Sequence, residues 1–357
     1  MALTAAMGSG IAGLRAFMDA LNVVGNNVAN VNTYGYKAGR VTFSESIYST
    51  QSAGSASTDV TGGTNPSQIG YGSSVGTIDL DMGTQALEST GMTTDVAIQG
   101  DGFFLLGDKN GVGVDSLDRL MFSRVGNFKI DDDGYLTDGK GNIVYGFVST
   151  TDNATPGADK DPTISTVLVP IRLPLAADGQ NNTELGEAIY PGQNGATNVD
   201  PTPGNNNNVN ADGNCIEYEN LKIDDNGKVS CTNKMTGDIV TIGYIALGTV
   251  TNPAGLTHTD GPYYQATDSA GEISISTPKS SVTGPMNNGA NDAAGNQPPN
   301  LLANSGTGVK SGFLEQSGTD LAQEFANMII YQRGYQANTR IVTVTDTMLE
   351  ELINMKR

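Results

Sequence analysis

The side chains able to do chemistry in this 357-residue chain are few, and their spacing fits no reaction. His258, the single histidine, sits in GLTHTDGP among turn residues, a poor place to hold a catalytic base. Asp131, Asp132 and Asp133 invite a calcium reading. An EF-hand loop, however, needs glycine at its sixth position after oxygen ligands at the first, third and fifth, and FKIDDDGYL fails that spacing. A tight hairpin turn explains these residues better. The glycine motifs GSGIAG, GDGFFLLG and GKG resemble phosphate loops only on the surface. None lies at a strand-to-helix junction with the lysine or acidic partner that those fingerprints require, so they read as turns and helix starts. Cys215 and Cys231 flank a predicted hairpin, and with one histidine in the chain they complete no familiar zinc site; a disulfide and a pair of free thiols both remain open.

The expectation is therefore no catalytic residue, no cofactor, no metal and no enzyme. The formal net charge of −19, without a basic stripe, excludes nucleic acid as a main partner. Gly8, Ser9, Gly10, Arg15 and Asp19 interrupt the start of the chain, so a cleaved signal peptide is not expected. No window approaches the roughly 18 uninterrupted apolar residues of a membrane span, so no membrane insertion is expected either.

The strongest pattern lies at the two ends. Met7, Ile11, Leu14, Met18, Leu21 and Val28 alternate spacings of four and three, with Gly25 in the missing place, and Phe17, Val24 and Val31 recur every seven residues beside them. That is a heptad seam with a widened stripe. Leu321, Met328, Tyr335, Val342 and Leu349 are likewise seven apart, with Phe325, Ile329, Ile341, Met348 and Leu352 alongside, and no proline follows Gln316. Each end predicts a helix of about 30 residues, about 45 Å long, and the simplest arrangement pairs the two. Gly25, Asn26, Gly334, Thr343 and Thr345 weaken these helices, so packing has to hold them, and each end alone is expected to be disordered.

The middle of the chain reads as β. VAIQGDGFFLLG alternates around a Gly-Asp-Gly turn, FKIDDDGYL and LKIDDNGKV are strand, turn and strand, and IVTIGYIALGTV is a strong strand signal. Ser149 to Gly213 is rich in Asn, Asp, Gly and Pro, with one apolar strand pair at Ile164 to Leu175, and Pro278 to Gly308 reads as a long surface loop. The expected fold is multidomain, with long α-helices from both termini forming a coiled-coil-like inner domain and mainly-β outer domains inserted between them. The expected bounds are 1–31 with 316–357 for the helices, 32–70 for a connector, 71–147 with 236–315 for a first β-domain and 148–235 for an inserted outer one.

Two functions fit: a structural subunit that assembles through its ends, and a secreted β-rich adhesive or carbohydrate-binding module. The ends favour the first, because a polymerising subunit needs surface that stays incomplete until a neighbour covers it.

Specific segments sharpen this. ANVNTYGYK, with Asn30, Thr33, Gly35, Tyr36 and Lys37, resembles the N-terminal signature of bacterial flagellar rod and hook proteins. DVAIQGDGFF, FSRVGNFKIDDDGYL and the C-terminal LAQEFANMIIYQRGYQANTRIVTVTDTMLEELINMKR are similar to further family segments, in family order; with GYIALGTVTNPAGL they cover a little over half of the chain. The resemblance implies that the terminal helices pair into an inner tube around an export channel, that Asn30 to Lys37 belong to a connector, and that β-domains radiate outward. Within the family, the large insertion, QRGYQANTRI and LINMKR look like a hook subunit, a flexible universal joint passing torque from rod to filament; the alternative is the shorter distal rod protein. The implied partners are other copies of the chain, the distal rod, the hook cap and hook–filament junction proteins, and the flagellar type III export apparatus. The implied location is the hook, outside the cell, reached without a cleaved signal. Gly334 stands where such sequences often carry alanine, and is expected to loosen the C-terminal helix.

Overall fold

A computed structural model describes residues 2–56, 62–109, 119–149, 164, 168–177, 179, 184–190, 211–280 and 306–355. The chain divides into two compact units, Met1–Asp81 with Ser317–Arg357, and Met82–Gln316.

The first unit holds the two long helices, α1 (Ala2–Ala29) and α2 (Leu321–Met355), close to their expected bounds. Asp320 starts α2 by accepting, through Oδ1, the amides of Ala322 at 2.9 Å and Gln323 at 3.3 Å, which satisfies donors that the first helical turn leaves open. Between the helices in sequence lies a two-stranded antiparallel ribbon. Strand β1 (Gly39–Glu45) pairs with β4 (Ser73–Leu80), and β2 (Tyr48–Ser52) pairs with β3 (Ser67–Gly70). The expected connector, 32–70, is thus largely ribbon and belongs with the helices. Only a bulge between Thr42 and Phe43 breaks the β1–β4 register.

The second unit is β. Strand β5 (Leu87–Ser89) pairs with Phe313–Glu315, β6 (Val96–Gln99) with Gly308–Ser311, and β7 (Phe103–Gly107) with β8 (Met121–Ser123). Beyond β7 the main sheet runs through Ile143–Val148, Ile239–Ile245 and Lys228–Asn233 to Tyr218–Ile223, every pairing antiparallel. The Asp-Gly and Asn-Gly turns form as expected: Lys129–Ile130 pairs with Leu136–Thr137, and Tyr218–Ile223 with Lys228–Asn233. Gly134 and Gly227 take φ of 82° and 73° there, values that glycine reaches without a Cβ penalty.

Two expectations need correction, and the open alternative for the cysteines closes. VAIQGDGFFLLG is not a hairpin: β6 and β7 join different sheets, and both are buried on nearly every residue, so their apparent alternation did not mark one wet face. The boundaries at 147/148 and 235/236 cut through one body. Val229 and Ile223, from the expected insertion, share a single apolar core with Phe104, Leu136 and Val144, because backbone pairing carries the sheet across both boundaries. Cys215 and Cys231 are free thiols on strands of separate sheets. Burial pushes the Cys231 thiol up to about 12, which removes its thiolate and leaves it a small core residue. Much of Ser149 to Gly213 and of Pro278 to Gly308, and residues 165–167 of the expected strand pair, lie outside the described residues.

Among the described residues the β unit contains one buried ion pair. Arg124 Nη1 lies 3.6 Å from Glu315 Oε2 with side-chain exposures of 2% and 0%, and the Gln85 amide donates to Glu315 Oε1 at 2.8 Å. The guanidinium also stands 5.2 Å over the Phe103 ring. Burial pulls the Arg124 pKa down and the Glu315 charge opposes that fall, so each charge is tolerated there because of the other. Glu315→Ala should therefore cost the β unit about 3–5 kcal/mol in urea unfolding, whereas Arg124→Met combined with Glu315→Leu should recover most of that loss.

Candidate assembly surface on the terminal helices

Helix α1 meets α2 along its small residues. Among the described residues of α1, Gly10, Gly13, Ala16, Ala20, Val24 and Asn27 are the buried positions, spaced three or four apart and therefore on one face. A methyl added at Gly10 would lie 3.3 Å from Val342 Cγ2, and one at Gly13 would lie 2.8 Å from Asn338 Nδ2. At Gly334 it would sit 2.6 Å from the Phe17 ring. As numbering rises on one helix it falls on the other, so the pair is antiparallel. Gly334 is the notch that admits Phe17. It does not break α2, which runs through it from Leu321 to Met355. Phe17, Tyr331 and Phe43 of β1 then close into an aromatic triangle with centroids 5.6 to 6.2 Å apart, stacking the ribbon on both helices.

The expected seam of large residues is thus not the inner face. Val24 is buried and Phe17 is half-buried in the triangle; Met7, Leu14, Leu21 and Val28 of α1 and Met328, Val342 and Leu349 of α2 are half-buried. Ile11 and Met18 of α1 are exposed, as are Leu321, Phe325, Tyr335 and Leu352 of α2. Ile329, Ile341 and Met348, which the heptad count placed beside the seam, are exposed as well, and Ile330 and Ile353, outside that count, lie further out at 60% and 68% exposure. Counting large apolar side chains missed Gly10, Gly13, Ala16 and Ala20. Their own spacing carried the signal, since backbones can approach only where side chains are small.

The polar stretch after α1 forms a node around Asn27, which is 1% exposed. Its Nδ2 donates to Gly39 O at 2.8 Å and to Glu324 Oε1 at 3.1 Å, while its Oδ1 accepts from the Gly39 amide and the Tyr36 hydroxyl, both at 3.0 Å. One side-chain amide thereby copies a β-ladder partner for Gly39 and reaches α2 as well. Asn30 Nδ2 donates to Asn26 O at 3.0 Å, and Thr33 Oγ1 donates to Asn30 Oδ1 at 3.1 Å, so the end of α1 is capped from within. Gly35 turns the chain at φ 68°, Lys37 is buried, and the Gly318 amide donates to Tyr36 O at 3.0 Å just before α2. Burial, and after it the Glu324 charge, raises the pKa of both Tyr36 and Tyr331, which keeps their hydroxyls as donors. Asn30, Thr33, Gly35, Tyr36 and Lys37 come together here as a structural joint.

Among the described residues no group of acidic, histidine or cysteine side chains is arranged to hold a metal ion, and no helix is long and apolar enough to cross a membrane. What the helices present is an antiparallel pair with much of its large apolar surface facing outward.

Comparison with known proteins gives this surface its context. Residues 7–37 match the family described as flagella basal body rod protein, and residues 310–355 match the C-terminal family of the flagellar basal body rod FlgEFG proteins. The flagellar basal-body rod protein FlgG of Bacillus subtilis is 34% identical over 350 residues, covering 98% of both chains. The flagellar hook proteins FlgE of Borreliella burgdorferi and Salmonella typhimurium are 28% and 27% identical, with 98% and 97% of this chain covered. The chain belongs to the flagellar rod and hook protein family, whose members are structural proteins of the bacterial flagellum. That assignment displaces the adhesive-module alternative.

The notch predicts a coupled mutational response. Gly334→Ala should destabilise the helical unit by about 1–3 kcal/mol through overpacking, although alanine is the better helix former by about 1 kcal/mol. Adding Phe17→Leu should restore stability, as read from the helical circular-dichroism signal during urea titration.

Proposed function

We propose that this chain is the subunit of the flagellar hook, a tubular helical polymer that bends while passing torque from rod to filament. The observation that carries the polymer is the outward apolar surface of α1 and α2. Burying each such Leu, Ile or Met side chain against a neighbouring copy contributes on the order of 1.5–3 kcal/mol. Repetition of a non-closing contact of that kind makes a helical tube, with the helices as its coiled-coil-like inner wall. The strands between residues 148 and 235 enlarge the β body, and that enlargement favours a hook over a distal rod. With a net charge of −19, β surfaces that touch between copies meet through water, and such contacts exchange at little cost as the tube changes curvature.

The same reading gives the subunit its neighbours along the axis, namely the distal rod, the hook cap and the hook–filament junction proteins. It also assigns a location outside the cell, with export through the flagellar type III apparatus. The second reading, a distal rod protein, rests on the 34% identity to a relative named as one.

Electron microscopy of cells lacking the protein, and of polymer grown from purified subunits, separates the two. A short curved tube is expected for the hook, and a straight polymer would transfer the assignment to the rod. The assembly surface itself is tested by Ile330→Asp. At 60% exposure it should leave the subunit folded, yet it should abolish polymerisation in a sedimentation assay.

A further inference from the structure

Apolar stripes that repeat every seven residues can slide past one another by one repeat at little cost, so they hold a polymer without setting its register. The helical unit contains a device suited to setting it. A cavity of about 540 Å³ lies between the helices and the root of the ribbon, lined by Val23, Arg40, Asp79, Asp81, Glu324 and Tyr331 among others. Its lining is acidic. Arg40, the one basic residue among the described residues there, is largely in solvent and lies 3.6 Å from Asp79. Glu324 Oε1 is held by Asn27, whereas Oε2 is shielded from solvent and has no hydrogen-bond partner. A carboxylate oxygen left in that condition is costly, and a donor arriving from outside relieves the cost. The terminal torsion of a glutamate is broad, so a small turn of the carboxylate presents Oε2 to the cavity.

The complementary charge stands on the same helices. Arg15 of α1 and Arg333 and Arg340 of α2 are exposed and make no ion pair among the described residues. We propose that one of these arginines, from a second copy of the chain, enters the cavity and donates its guanidinium N–H to Glu324 Oε2. A planar, always-charged fork suits a carboxylate at the mouth of an acidic cavity. One buried charge pair per contact then fixes the stagger between copies that the apolar stripes leave free. This inference rests on the polymer reading above.

The test uses the full chain, with assembly followed by light scattering at several salt concentrations and the monomer followed by thermal circular dichroism. Glu324→Gln keeps the side-chain length and an acceptor for Asn27 while removing the charge. The monomer melt should not fall, because the costly shielded charge is gone, while the critical concentration for assembly should rise about tenfold or more and its salt dependence should flatten. Glu324→Arg should stop assembly, and one of Arg15→Glu, Arg333→Glu or Arg340→Glu in that background should restore it and so identify the arginine. Assembly of Glu324→Gln at the wild-type concentration with wild-type salt dependence overturns the proposal. So does failure of all three reversals to rescue Glu324→Arg. If the wild-type chain forms no polymer at all, the polymer reading falls first and this inference falls with it.

Discussion

The close approach of α1 and α2 is the constraint from which the rest follows. Glycine and alanine occupy the face of α1 that meets α2, because only small side chains let two backbones come so near, and Gly334 does the same for α2 where Phe17 enters. A helix has one circumference to share out. When its inner face is spent on small residues, its large apolar residues must stand to the side or outward, and Ile11, Met18, Ile330 and Ile353 do so. In a lone soluble protein that arrangement would be a liability; in the polymer proposed above it is the surface that a neighbouring copy covers.

Buried polar groups contribute a different property. Apolar packing rewards many arrangements nearly equally, whereas a buried amide or charge is satisfied in only one. Asn27 engages α2 and the residues leading into the ribbon through four hydrogen bonds, which specifies how the chain leaves α1 and where β1 begins. Arg124 and Glu315 act similarly within the β unit, where the segment preceding α2 is tied to the body by charge as well as by its pairing with β5. In both places specificity comes from groups that would be expensive to bury alone.

Rod and hook proteins share these helical ends, so stiffness or flexibility must be set by what lies between them. In the proposed hook, weak, hydrated contacts between β surfaces would allow sliding, while a dry apolar wall would resist separation. In that proposal, holding strength and compliance belong to chemically different parts of one chain.

Local pattern made some of this legible before any tertiary structure. The heptad spacing from Met7 to Val28 and from Leu321 to Leu349 determined that both ends are helical, since a period near 3.6 over several turns admits no other regular element. Asp133-Gly134 and Asn226-Gly227 likewise determined two hairpins, because few residue pairs adopt such turns. The scatter of His258, the acidic run and the two cysteines already argued against catalysis. Tertiary structure alone decided which face of each helix is inner. It also decided that β6 and β7 part into different sheets, that residues on both sides of 148 and 235 share one core, and that Asn27, Gly39 and Glu324 meet. Each of those outcomes depends on partners far away in the chain. Sequence periodicity reports which residues lie on a common face, but what that face meets is settled only when distant segments compete to cover it.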